Sequence, residues 1–129
     1  MNGKYLLDTN IVIALFARES VAYQQLAKAD EAFVPSIVIG ELYFGAYKSG
    51  RINENIARIE EFASSNTILE VDSLTAREYG RIKSSLRAKG KPIPENDIWI
   101  AATAIQYGLT LVTRDKHFEE VGQLVVEAW

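Results

Sequence analysis

Apolar residues fall into two alternating patterns along this chain: short unbroken runs, and longer stretches in which they recur every third or fourth position. Tyr5, Leu6 and Leu7 form the first run and predict a strand over 4–7, which stops abruptly at Asp8, Thr9 and Asn10. Ile11, Val12, Ile13, Leu15 and Phe16 return at once to the core, predicting a helix from Thr9 to Ala17 with Asp8 at the junction. A helix comes next over Val21–Ala29, where Ala22 and Leu26 share a face. Ala32, Phe33 and Val34 make a second strand ended by Pro35, and Ser36 is suited to cap a helix running to about Lys48, with Gly50 marking its end. Asn53 opens another helix through Ile56, Ile59 and Phe62. Thr67 to Val71 is the next strand, and Ser73 caps a helix with Tyr79, Ile82 and Leu86 on one face that ends in the breakers Gly90, Pro92 and Pro94. The last third predicts a helix from Glu95 to Tyr107 stopped by Gly108, a strand Leu109–Thr113, a short helix near His117–Val121 and a strand Leu124–Val126.

Strand and helix alternating in this way predict an α/β fold, a three-layer α/β/α sandwich with a central, mostly parallel sheet. In such sheets ligands bind beyond the carboxyl ends of the strands, and Asp8 and Asp115 both fall on that rim. The 129 residues suit one domain spanning 1–129, and 48% hydrophobic with 24% charged residues describes a compact protein without linker or repeat. No apolar run approaches the roughly 20 residues that span a bilayer, and Met1–Tyr5 shows no leader, so no membrane partner and a cytoplasmic location are expected.

Cysteine is absent and His117 is the only histidine, which excludes disulfides, thiolate nucleophiles and the usual Cys/His zinc cages. A Ser-His-Asp device would need His117, but no serine stands in a Gly-x-Ser-x-Gly turn. Catalysis would rest on carboxylates and hydroxyls. The net charge of −3 weighs against a nucleic-acid partner unless cations are recruited.

Four acids stand out, and each has a plain explanation. Asp8 suits a helix cap. Glu41, in SIVIGELYFGA, lies on or beside an apolar helix face, where a solvated Glu at the stripe's edge is the plainer reading. Asp97, in PENDIWIAATAI, falls in a first helical turn, where its charge suits the helix dipole and it or Asn96 could cap. Asp115, in LVTRDKHF, could begin a turn or short helix. One metal site at the rim accounts for all four together, and for Thr9, Asn10 and Thr113 beside them. Two carboxylates about 4 Å apart repel by about 4 kcal/mol at an effective dielectric of 20, so a cluster needs a cation or protons. Oxygen-only ligands suit Mg²⁺ or Mn²⁺, which orient water and stabilise phosphodiester charge. Two such ions would move the formal charge from −3 to −3 + 4 = +1.

LLDTN at Asp8, GELYFGA at Glu41, NDIWIAA at Asp97 and TRDKHF at Asp115, in this order across essentially the whole chain, resemble the PIN-domain ribonucleases, and more narrowly the VapC-type toxins of toxin-antitoxin pairs. The resemblance implies a PIN-like fold, Mg²⁺- or Mn²⁺-dependent cleavage of RNA, and a pocket of four acids matching Asp8, Glu41, Asp97 and Asp115, assisted by Thr9, Asn10 and Thr113. It also implies a homodimer and a cognate antitoxin protein. A further acid that many members carry after the last aspartate has no clear match: position 116 is Lys, and Glu119 is a loose candidate. Of the basic residues able to hold an RNA backbone (Arg18, Lys48, Arg51, Arg87, Lys89, Lys91, Arg114 and Lys116), Arg114 is the best placed, beside Asp115; Tyr43, Phe44 and Trp99 are read as core or interface. Two other readings compete. An aspartate-nucleophile phosphatase would use Asp8 but wants a second aspartate where Asn10 stands, and a non-catalytic docking module of the same fold would have no metal affinity.

Overall fold

The computed structural model describes residues 3–129; Met1 and Asn2, part of the stretch expected to carry no leader, lie outside them. The elements run β1 (Lys4–Leu7), α1 (Thr9–Phe16), α2 (Ser20–Lys28), β2 (Glu31–Pro35), α3 (Ser36–Tyr47), α4 (Ile52–Ser64), β3 (Thr67–Leu69), α5 (Ser73–Lys89), α6 (Glu95–Tyr107), β4 (Thr110–Val112), a 3₁₀ turn (Lys116–Glu120) and β5 (Val126–Glu127). The strands form one parallel sheet in the order β3-β2-β1-β4-β5. From β1 the chain steps one way to β2 and β3, then crosses back to β4 and β5. Right-handed crossovers therefore put α1 to α4 on one face and α5 and α6 on the other. The expected α/β/α architecture is the one found.

The core explains the runs. Leu6 and Leu7 of β1, Leu111 and Val112 of β4, and Val34 of β2 are buried, as parallel strands covered on both faces require. From α1, Ile11, Val12, Ala14 and Leu15 pack down, and from α6 Ile98 and the block Ile100–Ala104. Alanines at 101, 102 and 104 let α6 lie close to the sheet. Two of the three glycines predicted to end helices are left-handed, Gly90 at φ 67 and Gly108 at φ 65, and each lets the next N–H return to the helix: Lys91 to the Leu86 carbonyl at 3.0 Å, Leu109 to that of Ala104 at 2.9 Å.

Element ends depart from expectation for local reasons. Ser36 is the first helical residue behind Pro35 and makes no cap bond. Ser73 is displaced as cap by Asp72, whose Oδ1 accepts the N–H of Leu74 and of Thr75 at 3.0 Å, while the Thr75 hydroxyl accepts from the Asp72 N–H at 3.1 Å. β3 ends at Leu69 instead of Val71, because its partner β2 ends at Pro35, opposite Leu69. Gly50 does not stop α3, which closes at Lys48 in right-handed conformation; α4 opens at Ile52, one residue ahead of Asn53. A turn with Gln123 at φ 70 delays β5 to Val126, and the expected short helix is the 3₁₀ turn. Among the described residues, no helix is long and apolar enough to cross a membrane.

Because β1 and β4 are neighbours reached from opposite directions, the sheet's switch point, where crevices open in this architecture, lies at their carboxyl ends. The pairing of Leu7 with Val112 and the bond from the Asp8 N–H to the Val112 carbonyl at 3.0 Å bring the chain leaving β1 alongside the chain leaving β4.

The capping geometry is directly testable. Asp72→Ala should cost about 1 to 2 kcal/mol in denaturant unfolding, whereas Ser73→Ala should change stability by a few tenths. Equal losses in the two variants would contradict the assignment.

Candidate active site

Asp8 ends β1 and caps α1: its Oδ1 accepts the Thr9 N–H at 2.8 Å. Its other oxygen accepts the Thr113 hydroxyl at 2.7 Å, and both residues are nearly sealed from solvent, Asp8 3% and Thr113 2% exposed. Burial pushes the Asp8 carboxyl up to about 6; the bonds from Thr113 and Thr9 oppose the rise, and the charges of Asp97 and Asp115 add to it.

Glu41 is half-buried on α3, beside buried Val38 and Leu42. Its carboxylate is tethered: the Thr9 hydroxyl donates to Oε1 at 2.5 Å and the Asn96 amide stands 3.5 Å from Oε2. Asp97 lies in the first turn of α6, but the cap of that helix is Pro94 and no side chain bonds its N-terminus. The capping explanation for Asp97 and Asn96 is therefore set aside. Asp97 instead meets His117, Oδ2 to Nε2 at 2.6 Å. Its carboxyl is raised mainly by burial; the His117 bond and charge pull it down, and repulsion from Glu41 and Asp115 pushes it up. Asp115 is exposed, with its N–H on the Thr113 hydroxyl at 3.0 Å.

Asn10 sits among these groups. Its amide nitrogen is 3.4 Å from Asp8 Oδ2, from the Thr113 hydroxyl and from Asp115 Oδ2, while its carbonyl oxygen accepts the Arg114 N–H at 3.2 Å. Asp8 thus feels Asp97 and Asp115, and Asp97 feels Glu41 and Asp115. Four acids from four segments share one electrostatic neighbourhood.

Arg114 is not brought in by its side chain. The guanidinium is held by Glu19, with Nη2 at 2.9 Å from Oε1, and by the Trp129 carbonyl at 3.0 Å from Nε. Trp99 stacks on Tyr79 at 4.0 Å. Glu119 is exposed and bonds to none of the four acids. The pattern of acids carries no signal for His117 or Asn96. Only the 3₁₀ turn beyond Asp115 and the first turn of α6 bring them to Asp97 and Glu41.

The donor set suits a hard divalent cation, being carboxylate and hydroxyl oxygens around a carboxylate that burial makes costly to ionise. Among the described residues no three acidic or histidine side chains form a ready cage for an ion. Glu41 is turned to Thr9 and Asp97 to His117, and these contacts fix the two carboxylates.

A family model for the PIN domain matches residues 5–124. The chain is 44% identical to Ribonuclease VapC2 of Haemophilus influenzae, with 98% of each chain covered. It is 33% identical to the tRNA(fMet)-specific endonuclease VapC of Shigella flexneri, again over 98% of each. Among solved structures, VapBC2 from Rickettsia felis bound to a promoter DNA fragment superposes with a TM-score of 0.90 at 33% identity, covering 98% of each chain.

The raised Asp8 carboxyl has a consequence for stability without metal. Between about pH 4 and pH 6 the folded protein keeps a proton on Asp8 that the unfolded chain has released, so stability falls as pH rises through that window. The fall from this group should approach about 3 kcal/mol at 1.36 kcal/mol per unit. In chelator, Asp8→Asn should lack this loss and be at least as stable as the parent above pH 6. Parallel pH profiles for the two proteins would show that Asp8 carries no such burden.

Proposed function

The chain belongs to the PIN-domain family, and from that premise we propose that it is a Mg²⁺- or Mn²⁺-dependent endoribonuclease of the VapC type, the toxin of a toxin-antitoxin pair, acting through Asp8, Glu41, Asp97 and Asp115. The observation that carries this reading is the gathering of those four carboxylates around Thr9, Asn10 and Thr113 at the sheet's switch point. When bound, a divalent ion supplies positive charge for the scissile phosphate and lowers the pKa of a water.

The chain's own residues hold that arrangement. Asp8, Asp97 and Asp115 supply carboxylate oxygens. Thr113 and Asn10 fix the orientation of Asp8 and Asp115, and hydrogen bonds from Thr113 and Thr9 favour the ionised form of the buried Asp8. Glu41, tethered by Thr9, borders a groove of about 630 Å³ lined also by Ser36, Ile37, Phe44, Lys48 and Asn96. Lys48, whose Nζ lies 4.4 Å from the centre of the Phe44 ring, brings positive charge to that groove, which suits an RNA backbone. In hydrolysis the water oxygen bonds to phosphorus, the bond from phosphorus to the leaving oxygen breaks, and the departing oxygen takes a proton.

The relatives' names support the partners as well: ribonucleases of this type act on RNA, and the VapBC2 structure pairs the toxin with VapB. A cognate antitoxin is accordingly this chain's protein partner. A homodimer fits the exposed Phe44 and Tyr47 on α3, both 64% exposed. The phosphatase alternative lacks support, since position 10 is Asn and, among the described residues, no lysine bonds any of the four acids.

Purified free of antitoxin, the parent should cut RNA with Mg²⁺ or Mn²⁺ and not in chelator, and Asp97→Asn should lose about a hundredfold or more. The metal ion should also raise the melting temperature of the parent and not of Asp97→Asn. Cleavage that survives in chelator, or an identical metal response in the variant, would refute the shared site.

A further inference from the structure

Asp97 and His117 stand on α6 and the 3₁₀ turn, and their side chains meet at 2.6 Å. Among the described residues His117 is the one side chain that hydrogen-bonds Asp97, and it ties Oδ2 while leaving Oδ1 without a partner. Both ends of the contact are anchored. Asp97 is fixed by the first turn of α6, with its side chain 13% exposed, and the 3₁₀ turn is pinned by the wholly buried Phe118, whose ring lies 4.9 Å from the imidazole. The pattern repeats around the site: Glu41 has the Thr9 hydroxyl, Asp8 the Thr113 hydroxyl and Asp115 the Asn10 amide, each a side-chain donor on a carboxylate oxygen. Asp97 draws its donor from further along the chain, where the further acid of this family finds no match.

We propose that His117 is a positioning residue for Asp97, holding one carboxylate oxygen through Nε2 so that the other is presented to the divalent ion. This rests on the ribonuclease reading. His117 touches neither ion nor RNA; it acts by restraining a ligand, as hydrogen-bond partners of metal-binding carboxylates do. A contact that served stability alone would leave metal affinity unchanged on its removal, or raise it, since the imidazole would then compete with the cation for the carboxylate.

Calorimetric titration of the full chain with Mn²⁺ separates the two, alongside steady-state cleavage of RNA. His117→Ala should weaken Mn²⁺ binding about tenfold and lower kcat, with KM for RNA unchanged within about twofold. His117→Gln, whose Nε2 also donates, should recover most of both losses. The His117 side chain is 35% exposed, so both variants should fold, and melting in chelator checks this. Mn²⁺ binding by His117→Ala that equals or exceeds the parent's would overturn the proposal, as would a Gln variant as impaired as Ala, since the ring's packing on Phe118 would then be the cause. A parent that neither binds Mn²⁺ nor cuts RNA would instead remove the nuclease reading on which the inference stands.

Discussion

Burying carboxylates together at the one place where the sheet opens is the constraint on which the rest of the structure turns, with repulsion among them adding to the cost of burial. Any such cost competes with the roughly 5 to 15 kcal/mol that holds a typical domain together. The chain does not avoid the cost by spreading the acids over its surface. Asp8 is the most buried of them, and burial itself is the largest cause of its raised pKa. Donors are placed against each acid instead: Thr9 and Thr113 on Asp8, the Thr9 hydroxyl and Asn96 on Glu41, His117 on Asp97, Asn10 on Asp115. These bonds restrain the acids and fix where their oxygens point.

The parallel sheet makes the gathering cheap. Two adjacent strands deliver Asp8 and the Thr113–Asp115 segment to one rim, and the register of Leu7 against Val112 places them face to face. A slip of one residue would exchange the faces of β4 and take the Thr113 hydroxyl from Asp8. Glu41 and Asp97 arrive from helices, one on each face of the sheet by the handedness of the crossovers, so the site spans all three layers. The buried alanines of α6 let that helix sit low enough for its first turn to reach the rim.

Much of this was legible in the sequence, with failures that share a cause. Long periodic segments such as Glu95–Tyr107 and the run at Leu6 and Leu7 declare themselves because burial on one face constrains many residues at once. Caps do not: Asp72 and Ser73 are both good capping residues, and only backbone geometry selects the first. β5 is two residues long, too short to leave a period. Arg114 adjoins Asp115 in sequence, yet in the bend after β4 its guanidinium turns to Glu19 and the Trp129 carbonyl, partners that adjacency to Asp115 does not reveal. His117 and Asn96 belong to the same class: their partners are set by a 3₁₀ turn and a helix start, which no spacing rule encodes.

Capping and the gathering of acids, which look like rival explanations of the Asp8-Thr9-Asn10 triplet, are one arrangement. The Thr9 N–H bonds Asp8 and starts α1, and the same residue's hydroxyl is thereby aimed at Glu41 on another helix. One step later Asn10 holds the Arg114 N–H and stands between Asp8 and Asp115. Three consecutive residues therefore begin a helix and position three of the four acids, and they do so only because the helix starts where it does. A cap on a side chain of another kind would start the helix equally well and leave the acids without their organiser. The polar break in an otherwise core-bound run is thus fixed by both demands at once, with Asp97 alone left to find its donor elsewhere, in His117.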